Sequence, residues 1–186
     1  TDLNDNSQVT DLEINNKLTY IVQQEDEEFM VHGDEEGKKY HEIKEPIEVN
    51  NKLVYRVSPF RKTGGDEFVV YDGEEQQRYA YVRNLFNVND RLVYRAEDAH
   101  NTFIVDNGKE GKKYNEIANI TKINNKLAYI ASKAEEGKIF LVYNGEEIEE
   151  YDHEKVSSSS ILMAEINGKL VYTVQEGDQW YIVREK

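Results

Sequence analysis

The sequence predicts an all-β protein built from repeats, and three observations carry that reading. One phrase of eight residues occurs five times: "NNKLTYIV" from Asn15, "NNKLVYRV" from Asn50, "NDRLVYRA" from Asn89, "NNKLAYIA" from Asn124 and "NGKLVYTV" from Asn167. No stretch of useful length holds the 3.6-residue period of an amphipathic helix, so almost no helix is expected. The aromatic residues lean on Tyr, with 13 Tyr against 6 Phe and one Trp, which suits pleated surfaces better than helix interiors.

Each repeat reads as four short strands, a to d. Strand a ends just before the Asn turn, with Leu12/Ile14, Ile47/Val49, Phe86/Val88, Thr121/Ile123 and Ala164/Ile166 spaced two apart, as one face of a strand requires. The Asn-Asn, Asn-Asp or Asn-Gly pair that follows tolerates the positive φ of a two-residue hairpin. Strand b then alternates Leu, Tyr and Val or Ala, as in Leu53, Tyr55 and Val57. Strand c is a near-continuous apolar run such as Phe68-Val69-Val70, the signature of burial on both faces. A turn such as Asp72-Gly73 leads to strand d, marked by Tyr40, Tyr79, Tyr114 and Tyr151.

The phrase tyrosines Tyr20, Tyr55, Tyr94, Tyr129 and Tyr172 are spaced 35, 39, 35 and 43 residues apart, a period that signals a repeat architecture. Four-stranded antiparallel units of that length are the blades of a β-propeller, which bury their faces against one another. At 186 residues the chain suits one domain, with units at about 9–43, 44–82, 83–117, 118–154 and 160–186. The last unit lacks strand d. The expectation is a five-bladed propeller closed by an N-terminal strand, residues 1–6 ("TDLNDN") completing the last blade. The alternatives are a piece of a larger ring, or a chain that pairs with a second copy through its exposed edge.

The segments "NNKLVYRV", "EFVVYDGEE" and "RYAYV", and still more "FIVDNGKEGKKYNEI" from Phe103, resemble the WD40-like β-propeller repeats of bacterial proteins related to those of TolB. The resemblance spans nearly the whole chain and implies the propeller fold. TolB-type repeats carry a Ser-Pro-Asp-Gly turn where this chain has Asn-Asn-Lys or Asn-Gly-Lys, so no partner is carried over.

A formal charge of −14 opposes nucleic acid and anionic lipid, because a phosphate backbone must be met with clustered Lys and Arg. No window approaches the roughly 18 apolar residues of a membrane span, so membrane insertion is not expected. The absence of Cys removes disulfides, thiolate metal sites and Cys nucleophiles together. An opening without Met is compatible with a cleaved leader, which favours a periplasmic or extracellular setting over the cytoplasm.

Candidate chemistry is sparse. His32, His41, His100 and His153 fall in different units without metal-ligand spacing, and Ser157–Ser160 lack the Gly-x-Ser-x-Gly elbow of a nucleophile. The acidic runs "EDEE" from Glu25 and "GDEEG" from Gly33 lack the alternating ligand pattern of a calcium loop. No cofactor, metal or catalytic residue is therefore expected. Differences between units are more informative: the b-to-c connection "SPFRKTGGDE", Ser58 to Glu67, is the longest of its kind. It places Phe60 beside Arg61 and Lys62, an anchor for an acidic or aromatic partner. The reading is a non-enzymatic, rigid protein- or peptide-binding or scaffolding module, monomeric if the ring closes; the alternative is a carbohydrate-binding, lectin-like propeller.

Overall fold

The computed structural model describes residues 12–59 and 66–184. The chain is all-β: the described strands form five antiparallel sheets, and the helical residues among those described are two single 3-10 turns, Ala134–Glu136 and Ser158–Ser160. The expected strand at residues 1–6 lies outside the described residues. Two compact units divide the chain, Thr1–Ala96 and Glu97–Lys186.

In the first unit, strands β1 (Leu12–Ile14), β2 (Lys17–Gln24), β3 (Glu27–His32) and β4 (Glu35–Tyr40) form one sheet in sequence order. Strands β5 (Glu42–Val49), β6 (Lys52–Ser58), β7 (Phe68–Tyr71) and β8 (Glu74–Glu75) form the second. A third sheet has the order β12-β11-β10-β9 and is where the chain passes from one unit to the other; its strands are β9 (Tyr81–Val88), β10 (Arg91–Glu97), β11 (Thr102–Asp106) and β12 (Lys109–Glu110). In the second unit, β13 (Glu116–Ile123), β14 (Lys126–Lys133), β15 (Lys138–Tyr143) and β16 (Glu146–Asp152) make a fourth sheet. The fifth holds three strands among the described residues, β17 (Ile161–Ile166), β18 (Lys169–Glu176) and β19 (Gln179–Arg184).

The Asn pairs form the expected hairpin turns. Both central residues have positive φ in every copy, from Asn15 and Asn16 at 51° and 58° to Asn167 and Gly168 at 53° and 74°. Such mirror-image turns match the strand twist and set the register, Ile14 opposite Lys17 and Val49 opposite Lys52.

Strand d departs from its tyrosine markers. Tyr40 and Tyr151 lie in β4 and β16, whereas Tyr79 and Tyr114 make isolated bridges to Glu67 and Thr102 beyond the two-residue β8 and β12. The register of c against d also shifts by one residue in the first and fourth sheets, where strand d stays continuous. At Gly111 an added Cβ would sit 3.0 Å from the Ile104 carbonyl oxygen, and the Gly111 N–H bonds that oxygen at 2.8 Å, as the N–H of Gln76 bonds the Val69 carbonyl oxygen in the second sheet.

Packing follows the repeat. Met30, Tyr40, Ile43, Tyr55, Val57, Phe68 and Val70 form a core where the first sheet meets the second. Ile123, Ile130, Leu141, Ile161, Leu170 and Tyr172 do the same for the fourth and fifth. Each large side chain buried this way contributes about 1.5–3 kcal/mol. Tyr55, Tyr94, Tyr129 and Tyr172 are buried and Tyr20 is half-buried, so four of the five phrase tyrosines are core rather than exposed stacking platforms.

Polar links also repeat. Glu28 accepts the backbone N–H of Ile43 at 2.7 Å, and its counterpart Glu67 accepts that of Val82 at 2.8 Å. The Tyr40 hydroxyl donates to Glu75 at 3.2 Å, and the Tyr114 hydroxyl donates to Glu147 at 2.9 Å. Each bond ties one sheet to the next within its unit.

A mixed-charge aromatic cleft at Pro59

The distinctive loop leaves β6 at Ser58 and returns to β7 through Glu67. Phe60, Arg61 and Lys62 lie outside the described residues, but both ends of the loop are placed. Its outgoing end, at Pro59, borders a cleft of about 460 Å³ between the first and second sheets. Phe68 and Arg78 come from the second sheet; Asp26, Glu27, Lys39, Tyr40 and His41 come from the first.

The cleft has an aromatic floor and a rim of mixed charge, Lys39 and Arg78 against Asp26 and Glu27. The Arg78 guanidinium lies 4.2 Å from the centroid of the Phe68 ring, and the Tyr40 ring meets Phe68 edge-on at 5.7 Å. Lys39 donates to the Gln24 side chain at 2.5 Å, which leaves two of the three ammonium donors of a lysine for other acceptors. One ring nitrogen of His41, Nδ1, lies 3.1 Å from the Asp26 carbonyl oxygen, and this fixes the ring at the d-to-a link.

Glu75 organises the second-sheet wall. Arg78 donates to it at 3.0 Å, Lys38 at 3.2 Å and the Tyr40 hydroxyl at 3.2 Å. Partial burial works against its ionisation, yet the hydrogen bond and charge of Lys38, with the bonds from Tyr40 and Arg78, hold the carboxyl below its ordinary range. Burial raises the Tyr40 hydroxyl far above the usual phenol value, helped by Tyr55 and the charge of Glu75. Tyr40 is thus a fixed neutral donor that orients Glu75, and Glu75 in turn holds Arg78 flat over Phe68.

The returning end rests on a charge network that the sequence reading missed. Glu67 is 8% exposed, and its carboxylate receives the Val82 N–H, the Arg83 guanidinium and, at 3.4 Å, the guanidinium of Arg56, itself 6% exposed. Glu45 lies 3.4 Å from Arg56 on the other side and accepts the Leu85 N–H at 3.1 Å. The signal in the repeat was partial: where Arg56 stands in the second copy the third also has an Arg, Arg95, while the first has Ile21, the fourth Ile130 and the fifth Thr173.

Other candidates do not converge on this site. His32 hydrogen-bonds Thr19 at 2.7 Å, and Ser157 bonds Ser159 and Ser160 within its own turn at 2.9 and 2.7 Å. Among the described residues no three His, Asp or Glu side chains are grouped to hold a metal ion. The cleft's rim offers the donors of Lys39 and Arg78 and the acceptors of Asp26 and Glu27, and its floor offers a ring to an apolar or aromatic group. Compared with known proteins, the chain matches no family model and no curated protein.

Proposed function

We propose that the chain is a β-propeller of five blades that serves as a non-enzymatic binding module for a peptide or protein segment bearing acidic residues. The cleft beside Pro59 carries this reading, because it brings Lys39 and Arg78 to one aromatic-floored rim, next to Asp26 and Glu27, in a chain of net charge −14. In an acidic molecule, a local group of cations over an aromatic floor gives an acidic segment one favoured landing place. Contacts between strands a of successive sheets, β5 with β9 and β13 with β17, support a radial stacking of the sheets. So does the resemblance of the repeats to WD40-like propeller repeats of the TolB type.

The test uses fluorescent peptides of about ten residues that are rich in Asp and Glu around a single Phe, with a scrambled basic peptide as control. The acidic peptide binds, and binding weakens as salt screens the rim. Lys39→Glu, and separately replacement of residues 60–65 by Asn-Gly, each weaken it by roughly tenfold or more, about 1.4 kcal/mol. Binding that ignores both changes rejects the site, and a glycan array that retains a sugar while the peptides do not bind would transfer the function to the lectin-like alternative.

A further inference from the structure

The five sheets end differently at their outer edge. In four of them the outermost strand is dense in charge: "EEGKKY" in β4, "EE" in β8, "KE" in β12 and "EEIEEYD" in β16. Charged outer strands are how sheet proteins keep their edges from pairing with other chains. In the fifth sheet, among the described residues, the outermost strand is β19, "QWYIVR", the counterpart of the inner strand c elsewhere. Trp180 is 51% exposed, Tyr181 46% and Ile182 69%, on both faces of the strand. Residues 179–183 contain neither Lys nor Pro to discourage pairing.

We propose that β19 is a self-association edge, and that its occupant is β19 of a second copy, joined antiparallel across a two-fold axis. A two-fold normal to the sheet keeps each side chain on its own face, so residues facing across it must share a face. With Tyr181 on the axis, Trp180 lies opposite Ile182 of the second copy. Aromatic and β-branched residues are favourable cross-strand neighbours. The strand is therefore complementary to itself across the axis, as a closed two-fold contact requires. Joining the two edges makes one six-stranded sheet from two three-stranded ones.

The sequence supplies its own reporters, since Trp180 is the single tryptophan and there is no cysteine. Sedimentation of the full chain from about 1 to about 200 μM shows a monomer–dimer equilibrium, and Trp180 emission shifts to the blue in step with dimer formation. Ile182→Lys weakens the dimer by roughly tenfold or more while leaving the far-ultraviolet circular dichroism unchanged. Under mild oxidation Tyr181→Cys yields a covalent dimer, whereas Ile182→Cys yields none, because the two copies of residue 182 stand one position to either side of the axis, two register positions apart and beyond the roughly 7 Å a disulfide can bridge. Leu18→Cys, an exposed site on the first sheet, serves as the collision control. A chain that is monomeric at every concentration, or that cross-links as well through Leu18→Cys as through Tyr181→Cys, overturns the proposal.

Discussion

Arg56 and Glu67 show how one departure from a repeat can reorganise its surroundings. The position of Arg56 is filled by Arg95 in the third copy but by Ile21, Ile130 and Thr173 in the others, so the repeat does not require a charge there. Glu67 is different, because it holds Arg56, Arg83 and the Val82 N–H at once. Removing a buried carboxylate strands its partners, which costs about 3–5 kcal/mol, while replacing a buried charge by an apolar group of similar volume costs little when its counterion keeps other partners. Glu67→Ala therefore destabilises by about 3 kcal/mol, and Arg56→Ile by less than about 1 kcal/mol, read as shifts in the urea midpoint at constant slope. An equal loss from both changes would mean that the Arg56–Glu67 pair, rather than Glu67 alone, anchors the loop. This network was half legible: an Arg inside the alternation of strand b was visible as a difference between copies. Its acidic partners were not, because Glu45 sits at a bulge of strand a with φ of 53°, and polar residues in strands carry no such mark.

Among the elements, strands a, b and c were legible because alternation and the Asn turns fix them locally. Strand d was legible as a position but not as a length, since copies that share the Tyr marker end as β4 and β16 in two sheets and as two-residue β8 and β12 with an isolated bridge in the others. The value of its tyrosine is clearer in the fold than in the sequence. Tyr114 donates to Glu147, which Lys112 meets at 2.6 Å, so strand d of one sheet is clamped to the c-d turn of the next. Tyr114→Phe removes a bond to a charged acceptor and is expected to cost about 1.5–3 kcal/mol in thermal or urea melts. Glu147 also gives the clamp a pH dependence. Partial burial opposes its ionisation, but the bonds from Lys112 and Tyr114 prevail, and its folded-state value lies below the ordinary one. A depressed carboxyl stabilises fully above its unfolded value, near 4.5, and loses that contribution as pH falls through the folded value. Glu147→Gln should accordingly flatten the acid limb of the stability curve below about pH 4.5; an unchanged limb would show that other carboxylates carry it. The cleft was the least legible part, because Lys39, His41 and Arg78 come from strands d of two different copies and meet only once the sheets stack.

At the scale of the whole molecule the tyrosines act together. Burial, aided by neighbouring Glu75 and Glu147, pushes Tyr55 and Tyr129 up to about 12, and it raises Tyr40, Tyr114 and Tyr172 further. A group whose folded value is raised leaves stability intact below its unfolded value, near 10. Above that, unfolded tyrosines ionise while folded ones stay neutral, so each additional pH unit favours the unfolded chain by about 1.4 kcal/mol per such tyrosine. Because these tyrosines occur in the first, second, fourth and fifth sheets, the losses accumulate over both units. Stability should hold between about pH 6 and pH 9.5 and then collapse steeply, with several protons released per molecule unfolded. The check is a series of urea melts from about pH 7 to pH 11.5, with tyrosinate absorbance followed in the same samples. If the phenols titrate near 10 before the circular dichroism changes, the tyrosines are accessible in the folded chain and the tightly packed interfaces between sheets are wrong. If absorbance and unfolding rise together well above pH 10, these five tyrosines are doing in solution what their geometry implies, held neutral by the sheets stacked against them.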